Sequence, residues 1–278
     1  MDLKTYLDRQ TQKINRALLT FLPKESERPA ALSRAMRYAV LSGGKRIRPI
    51  FVLAACEAVG GKETRVMDAA CALELIHSYS LVHDDLPCMD DDETRRGKPS
   101  CHVKFGEAIA LLAGDALLTK AFHILSRSVP GKDLPGDHKR LQALHWISQA
   151  IGSQGMVGGQ TLDMQYQGKE MDLPTVEYIN THKSGALIAV SVQVGAALGG
   201  GSPKQVEALT RYGKCIGLLF QIVDDIMDAQ GYAEVIGPRE ALEEAGRLLA
   251  KAKREISFFG KKAELLGQIA DFVAARKD

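Results

Sequence analysis

Apolar side chains recur at spacings of three and four through most of the chain, and strict alternation over a strand's length is scarce. The pattern therefore predicts helices almost throughout. Between 65 and 85 one long helix is expected, with Leu73, Ile76, Ser80 and Asp84 on a single side, so that an apolar face leads to carboxylates. A second, from 216 to 227, is apolar except for a stripe of Gln221, Asp224, Asp225 and Asp228. The stretch 185–201 is rich in Gly and Ala, contains Gln193 and falls short of the ~20 residues of a membrane span, so it reads as a buried helix. A further helix is expected from 238 to 255. Turn signals separate these segments at Leu22-Pro23-Lys24, Gly60-Gly61, Arg96-Gly97-Lys98-Pro99, Val129-Pro130-Gly131, Gly199-Gly200-Gly201-Ser202-Pro203 and Phe258-Phe259-Gly260. No linker or repeat interrupts them. The expectation is an all-α fold, one domain over 1–278, a bundle of long helices around a central cavity that both aspartate clusters share.

Composition changes the picture only by exclusion. With 278 residues, 45% of them apolar, the chain is long enough for an extensive core. A net charge of +2 points to neither nucleic acid nor an anionic membrane. The five scattered cysteines lack the close paired spacings of zinc or redox sites, and the first ten residues are too polar for a signal peptide. Both fit a cytoplasmic protein with reduced thiols.

Candidate chemistry begins with Asp84-Asp85-Leu86-Pro87-Cys88-Met89-Asp90 and Asp224-Asp225-Ile226-Met227-Asp228. Dense carboxylates repel unless cations neutralise them, and hard oxygen donors suit Mg2+, so the clusters suggest a magnesium-bridged diphosphate. Each alone also fits a charged helix end. Lys45, Arg46 and Arg48 after Gly43-Gly44 suit an anion clamp or a solvated basic turn, and Arg95-Arg96 place cations beside the first carboxylates or build a surface salt-bridge network. His77 suits a core histidine or a phosphate donor; Lys183-Ser184 suits a phosphate contact or a snorkelling lysine. Small residues in 156–163 favour close helix packing. Motifs for nucleophilic, zinc or P-loop chemistry are missing, so chemistry is left to metal and diphosphate.

Taken together, these motifs resemble the trans-isoprenyl diphosphate synthases, most closely the bacterial farnesyl diphosphate synthases. The residues that carry the resemblance, along nearly the whole chain, are Gly43-Gly44-Lys45-Arg46-Ile47-Arg48-Pro49, His77 to Asp92, Arg95-Arg96-Gly97-Lys98-Pro99, Gly158-Gly159-Gln160, Lys183-Ser184 and Phe220 to Asp228. The resemblance implies the isoprenoid synthase fold, a homodimer and a prenyltransferase. In that reaction dimethylallyl or geranyl diphosphate ionises, isopentenyl diphosphate attacks the cation, and a proton is lost. Three Mg2+ ions are implied, held by Asp84, Asp85, Asp90 and Asp224, with Asp84, Asp90, Lys183 and Asp224 catalytic. Arg95, Lys183 and Gln221 fall on the allylic substrate, Gly44, Lys45, Arg48, His77 and Arg96 on isopentenyl diphosphate, and Ser184 and Phe220 are implied as substrate-binding residues.

Product length in this family follows bulk below the first aspartates, here Tyr79 and Ser80, and the aromatic Tyr79 favours a fifteen-carbon product. A geranylgeranyl or geranyl diphosphate synthase is the rival, and a non-catalytic isoprenoid-binding subunit a more distant one. A terpene cyclase fits less well, because its second motif mixes Asn, Ser or Thr and Glu. The pattern breaks after Gly231, where the family carries a loop with a lysine. We read residues as absent between 231 and 232, through an omitted stretch or a true deletion.

Overall fold

The computed structural model describes residues 2–127 and 134–276; the turn read at Val129-Pro130-Gly131 lies outside them. The elements are α1 (Leu3–Phe21), α2 (Ala30–Leu41), α3 (Ile47–Ala58), α4 (Glu63–Asp84), β1 (Thr94–Arg95), β2 (Lys98–Pro99), α5 (Cys101–Phe105), α6 (Glu107–Ser126), α7 (Asp137–Ile151), α8 (Met156–Tyr166), α9 (Leu173–Ile179), α10 (Ala186–Gly199), α11 (Pro203–Asp228), α12 (Gly231–Ile236), α13 (Pro238–Ile256) and α14 (Glu264–Ala274). A π-helical stretch, Asn180–Gly185, joins α9 to α10, and a 3-10 stretch, Ser257–Ala263, joins α13 to α14. The expected all-α class is what the structure has. Two compact units make up the chain: Met1–Ile50 with Met67–Lys132, and Phe51–Val66 with Asp133–Asp278.

In the first unit, α6 packs on α2 and α5 through Ala110, Ala113, Leu117 and Ala121. By length and composition alone α6 is apolar enough to cross a membrane, although it carries a buried face of this kind. The turn from α2 to α3 runs through Gly43 and Gly44 at φ of +120° and +121°, where a Cβ is strained, and then Arg46 at +51°. Arg46 tolerates that backbone because its fork is fully engaged. Nη1 donates to Glu74 Oε1 at 2.6 Å, Nε to Asn15 Oδ1 at 2.8 Å and Nη2 to the Val40 carbonyl at 2.6 Å. The Arg46 and Glu74 side chains are 1% and 2% exposed. Arg46 is thus a structural residue and leaves the anion clamp in which the sequence placed it.

In the second unit α11 is the longest helix and packs on α10 and α13. The Gly200-Gly201-Ser202-Pro203 turn is read directly from its chemistry. Gly200, at φ +100°, closes α10, and Ser202 and Gln205 form a reciprocal capping box that starts α11 with Pro203 in its first turn. Tyr212, fully buried on α11, donates to the Leu266 carbonyl at 2.7 Å and ties α14 down.

Removing one partner of a buried ion pair leaves the other charge uncompensated. Glu74→Gln is expected to cost about 3–5 kcal/mol in urea unfolding, with much of the loss recovered by Glu74→Leu combined with Arg46→Met. A loss no larger than that of an exposed pair would show that Arg46 does not anchor this unit.

Candidate active site

The first aspartate cluster sits where α4 ends. Asp84 is half-buried, and the loop beyond it turns back so that the Asp90 N–H donates to the Asp84 carbonyl at 2.9 Å. This fold-back brings the backbone of the cluster's last aspartate against the helix end. Asp85 faces the other way, 2% exposed, and its Oδ1 accepts from Arg95 Nε at 2.8 Å and Nη2 at 2.5 Å. Burial raises the pKa of Asp85 and the arginine opposes the rise. Its oxygen is therefore engaged with a guanidinium.

Arg95 and Arg96 reach their places through a hairpin that helical periodicity did not reveal. β1 and β2 pair antiparallel, Thr94 with Pro99 and Arg95 with Lys98, across a two-residue turn in which Arg96 and Gly97 both have positive φ. Such turns match the twist of paired strands. Arg95 then lies on Asp85, while Arg96 Nη1 donates to the Gly43 carbonyl. A Cβ on Gly44 would come within 2.7 Å of the Arg96 guanidinium, so the glycine is needed for that approach.

His77, two turns before Asp84, lies among these cations. Burial first, then Arg48, Arg96, Arg46 and Arg95, hold its pKa well below the ordinary value. It is neutral at pH 7, in an environment that favours an anion. Closer to the carboxylates, Tyr79 is 7% exposed, its ring set edge-on to His83 at 5.7 Å. Burial and the nearby Asp84 push its hydroxyl up to about 12. His83 Nε2 donates to the Leu111 carbonyl at 3.0 Å and lies so close to Gly114 that a side chain there would collide with it. Ser80 donates to the His77 carbonyl at 3.0 Å.

In the second unit, the π-helical stretch is gripped by two glycines. A Cβ on Gly159 of α8 would collide with the Lys183 backbone, and one on Gly217 of α11 would lie 2.8 Å from Gly185 Cα. Close packing is thus the role of Gly159. Lys183 Nζ donates to Asp163 Oδ2 at 2.6 Å, and Gln160, one turn earlier on α8, has both amide head atoms buried without a partner. Ser184, the next residue, is half-buried, as are Phe220 and Gln221 on α11.

The α11 stripe divides into three roles. Asp225 Oδ2 accepts from Asn180 Nδ2 at 2.8 Å and from the Tyr232 N–H at 3.0 Å, and burial raises its pKa. Asp228 is exposed. Asp224 Oδ1 lies 2.9 Å from Arg276 Nη2. Gly231 and Tyr232 are consecutive in α12, and Tyr232 also donates to Glu177 at 2.8 Å. Sequence reasoning gave no role to Asp163, Asn180, Tyr232 or Arg276: Asn180 is 45 positions from the aspartate it meets, Arg276 follows the last helix, and Tyr232 reaches Asp225 through its backbone N–H.

In the first unit the half-buried Asp84, at the end of α4, and Asp90, on the loop beyond it, carry carboxylates of the kind that suits Mg2+; in the second unit Asp224, in the last turns of α11, carries another. Among the described residues no three His, Cys, Asp or Glu side chains gather as a ready-made cage. Guanidinium groups stand on two of the aspartates instead.

The profile of the polyprenyl synthetase family matches residues 29–241. The chain is 39% identical to the heterodimeric geranylgeranyl pyrophosphate synthase large subunit 1, chloroplastic, of Arabidopsis thaliana, over all of this chain and 80% of that protein. That alignment runs over 300 positions against 278 residues here, so the relative carries residues without a counterpart. Among solved structures, an FPP/GFPP synthase from Zymomonas mobilis superposes with a TM-score of 0.92 at 38% identity, covering 98% of this chain and 99% of that one. A geranyltransferase from Legionella pneumophila gives 0.92 at 33%, covering 99% and 97%. The chain belongs to the polyprenyl synthetase family, prenyltransferases of isoprenoid biosynthesis with the all-α isoprenoid synthase fold.

The depressed pKa of His77 has a signed consequence. The unfolded chain takes up this proton near pH 6.5 and the folded chain does so only lower. Stability therefore falls as pH drops below that point, by at most about 1.4 kcal/mol per pH unit. His77→Gln is expected to flatten the fall between pH 7 and 5 in urea unfolding. An unchanged slope would place the titration elsewhere.

Proposed function

We propose that the protein condenses isopentenyl diphosphate head-to-tail with dimethylallyl and then geranyl diphosphate, giving farnesyl diphosphate. The observation that carries this reading is the α4 segment. Asp84 with the folded-back Asp90 offers oxygens to cations at its end, and two turns earlier His77 lies among Arg48, Arg95 and Arg96, which suit a phosphate. Helix α4 thus carries an aspartate for the metal at its end and, two turns earlier, a histidine to which α3 and the hairpin bring arginines for the anion. In this reading Asp84 and Asp90 would hold Mg2+ beside the end of α4, with Asp85 supporting them by fixing Arg95, and Asp224 would hold Mg2+ on α11. The chemistry that Mg2+ would supply when held there is withdrawal of charge from the allylic diphosphate, which would ease ionisation of its carbon–oxygen bond.

The remaining roles fall to the chain's own side chains. Gly44, Lys45, Arg48, Arg96 and neutral His77 hold isopentenyl diphosphate, the histidine as a donor. Lys183, held by Asp163, acts with Ser184, Phe220, Gln221 and Arg95 on the allylic substrate. The proton lost after condensation leaves with the departing pyrophosphate. Tyr79 supplies bulk one turn below Asp84 and supports a fifteen-carbon product. A twenty-carbon product is the second reading, favoured by relatives named as geranylgeranyl pyrophosphate synthases.

The test is incubation of purified protein with geranyl diphosphate, isopentenyl diphosphate and Mg2+, followed by phosphatase and identification of the alcohol. Farnesol that disappears with a chelator is expected; no alcohol longer than the geraniol released from the substrate would overturn the proposal, and geranylgeraniol would favour the second reading. Under the same conditions Tyr79→Ala is expected to lengthen the product, and an unchanged length would remove Tyr79 as the limit.

We also propose a homodimer, supported by the apolar surface that Leu111 and Leu112 of α6 and Val103 of α5 leave exposed. Sedimentation should give twice the chain mass, and Leu112→Glu should shift the distribution toward monomer. A wild-type monomer would refute it.

A further inference from the structure

Arg276 follows α14 and returns to α11. Its Nη2 lies 2.9 Å from Asp224 Oδ1, its guanidinium carbon is 4.1 Å from the centre of the Phe220 ring, and its side chain is 13% exposed. Arginine normally engages a carboxylate through two parallel bonds, and a structural arginine in a buried place satisfies its other donors as well. Arg46 in the first unit does so. Arg276 does not. Of its nitrogens Nη2 lies against Asp224, while Nε and Nη1 are buried with no hydrogen-bond partner among the described residues. Leaving such donors unmade is costly, so this pairing is not the one the fold would select for stability alone.

Nor does α14 need it. The helix is already docked through buried Leu266, Ile269, Ala270 and Val273 and by the hydrogen bond from Tyr212. Because Arg276 lies beyond the helix cap at Ala275, its side chain can leave Asp224 without moving α11 or α14. The face of Phe220 offers the guanidinium a second attraction that does not depend on the carboxylate.

We propose that Arg276 is an internal counter-ion for Asp224, occupying the oxygen a metal needs and released when the metal binds. A cation about 2.1 Å from that oxygen and a guanidinium nitrogen at 2.9 Å repel each other, so the two compete. Arg276 is then a positioning residue. It holds the carboxylate in place while the site is empty and weakens the site for a lone metal. The inference rests on Asp224 as a metal ligand, the reading proposed above.

The test is the affinity for Mn2+, with and without pyrophosphate, read from the loss of the free-ion electron paramagnetic resonance signal. Arg276→Gln is expected to bind Mn2+ roughly 5-fold tighter than wild type. Arg276→Lys, which keeps the charge, should stay close to wild type. Asp224→Asn should abolish the gain in the double variant. Equal or weaker binding by Arg276→Gln would overturn the inference while leaving the site intact, as would an equal gain in Arg276→Lys. A wild-type protein that takes up no Mn2+ even with pyrophosphate would remove the metal reading of Asp224 and this inference with it.

Discussion

Guanidinium–carboxylate pairing is the interaction on which the candidate site depends. Arg46 on Glu74 is its deepest instance: the pair lies in the interior and locks a turn whose glycines could otherwise adopt many conformations. Once that turn is fixed, Lys45 and Arg48 take defined positions beside it, and the Gly43 carbonyl is presented to Arg96. Arg95 on Asp85 fixes the other arm of the same hairpin. In the second unit Arg276 on Asp224 repeats the device, and Lys183 on Asp163 does the same with an ammonium group. Carboxylates crowded at a helix end repel, and positioned cations are how this chain holds them without a metal.

Glycine at close approaches is the complementary constraint. The π-helical stretch that carries Lys183 has room between α8 and α11 only because Gly159 and Gly217 lack side chains. Gly114 leaves a place for His83 in the same way, and that histidine backs the Tyr79 ring. A wall built on such contacts is stiff, since interiors are close-packed and neighbours have little room to give. The Tyr79 ring therefore has little room to move.

The helices were legible because their signals are local. Periodicity marked α4, α10, α11 and α13, and the run from Gly200 to Pro203 carries both a helix stop and a helix start in adjacent residues. The carboxylates were legible because dense charge is conspicuous. Other features depend on partners distant in sequence. Arg46 looked like its basic neighbours, and only Glu74 and Asn15, 28 and 31 residues away, decide that it is structural. The short hairpin escaped because two-residue strands carry no alternation. Arg276, a lone arginine after the last helix, has no motif to mark it; its meaning comes from Asp224, 52 positions earlier.

We propose that carboxylates at the end of α4, and others at the end of α11, hold cations that carry a diphosphate. A crystal structure with Mn2+ and pyrophosphate, read by the anomalous scattering of manganese, tests it most directly. The account predicts manganese about 2.1 Å from carboxylate oxygens of Asp84 and of Asp224, with pyrophosphate oxygens completing the coordination. Pyrophosphate held by arginine and lysine alone, with no manganese at either cluster, would contradict it.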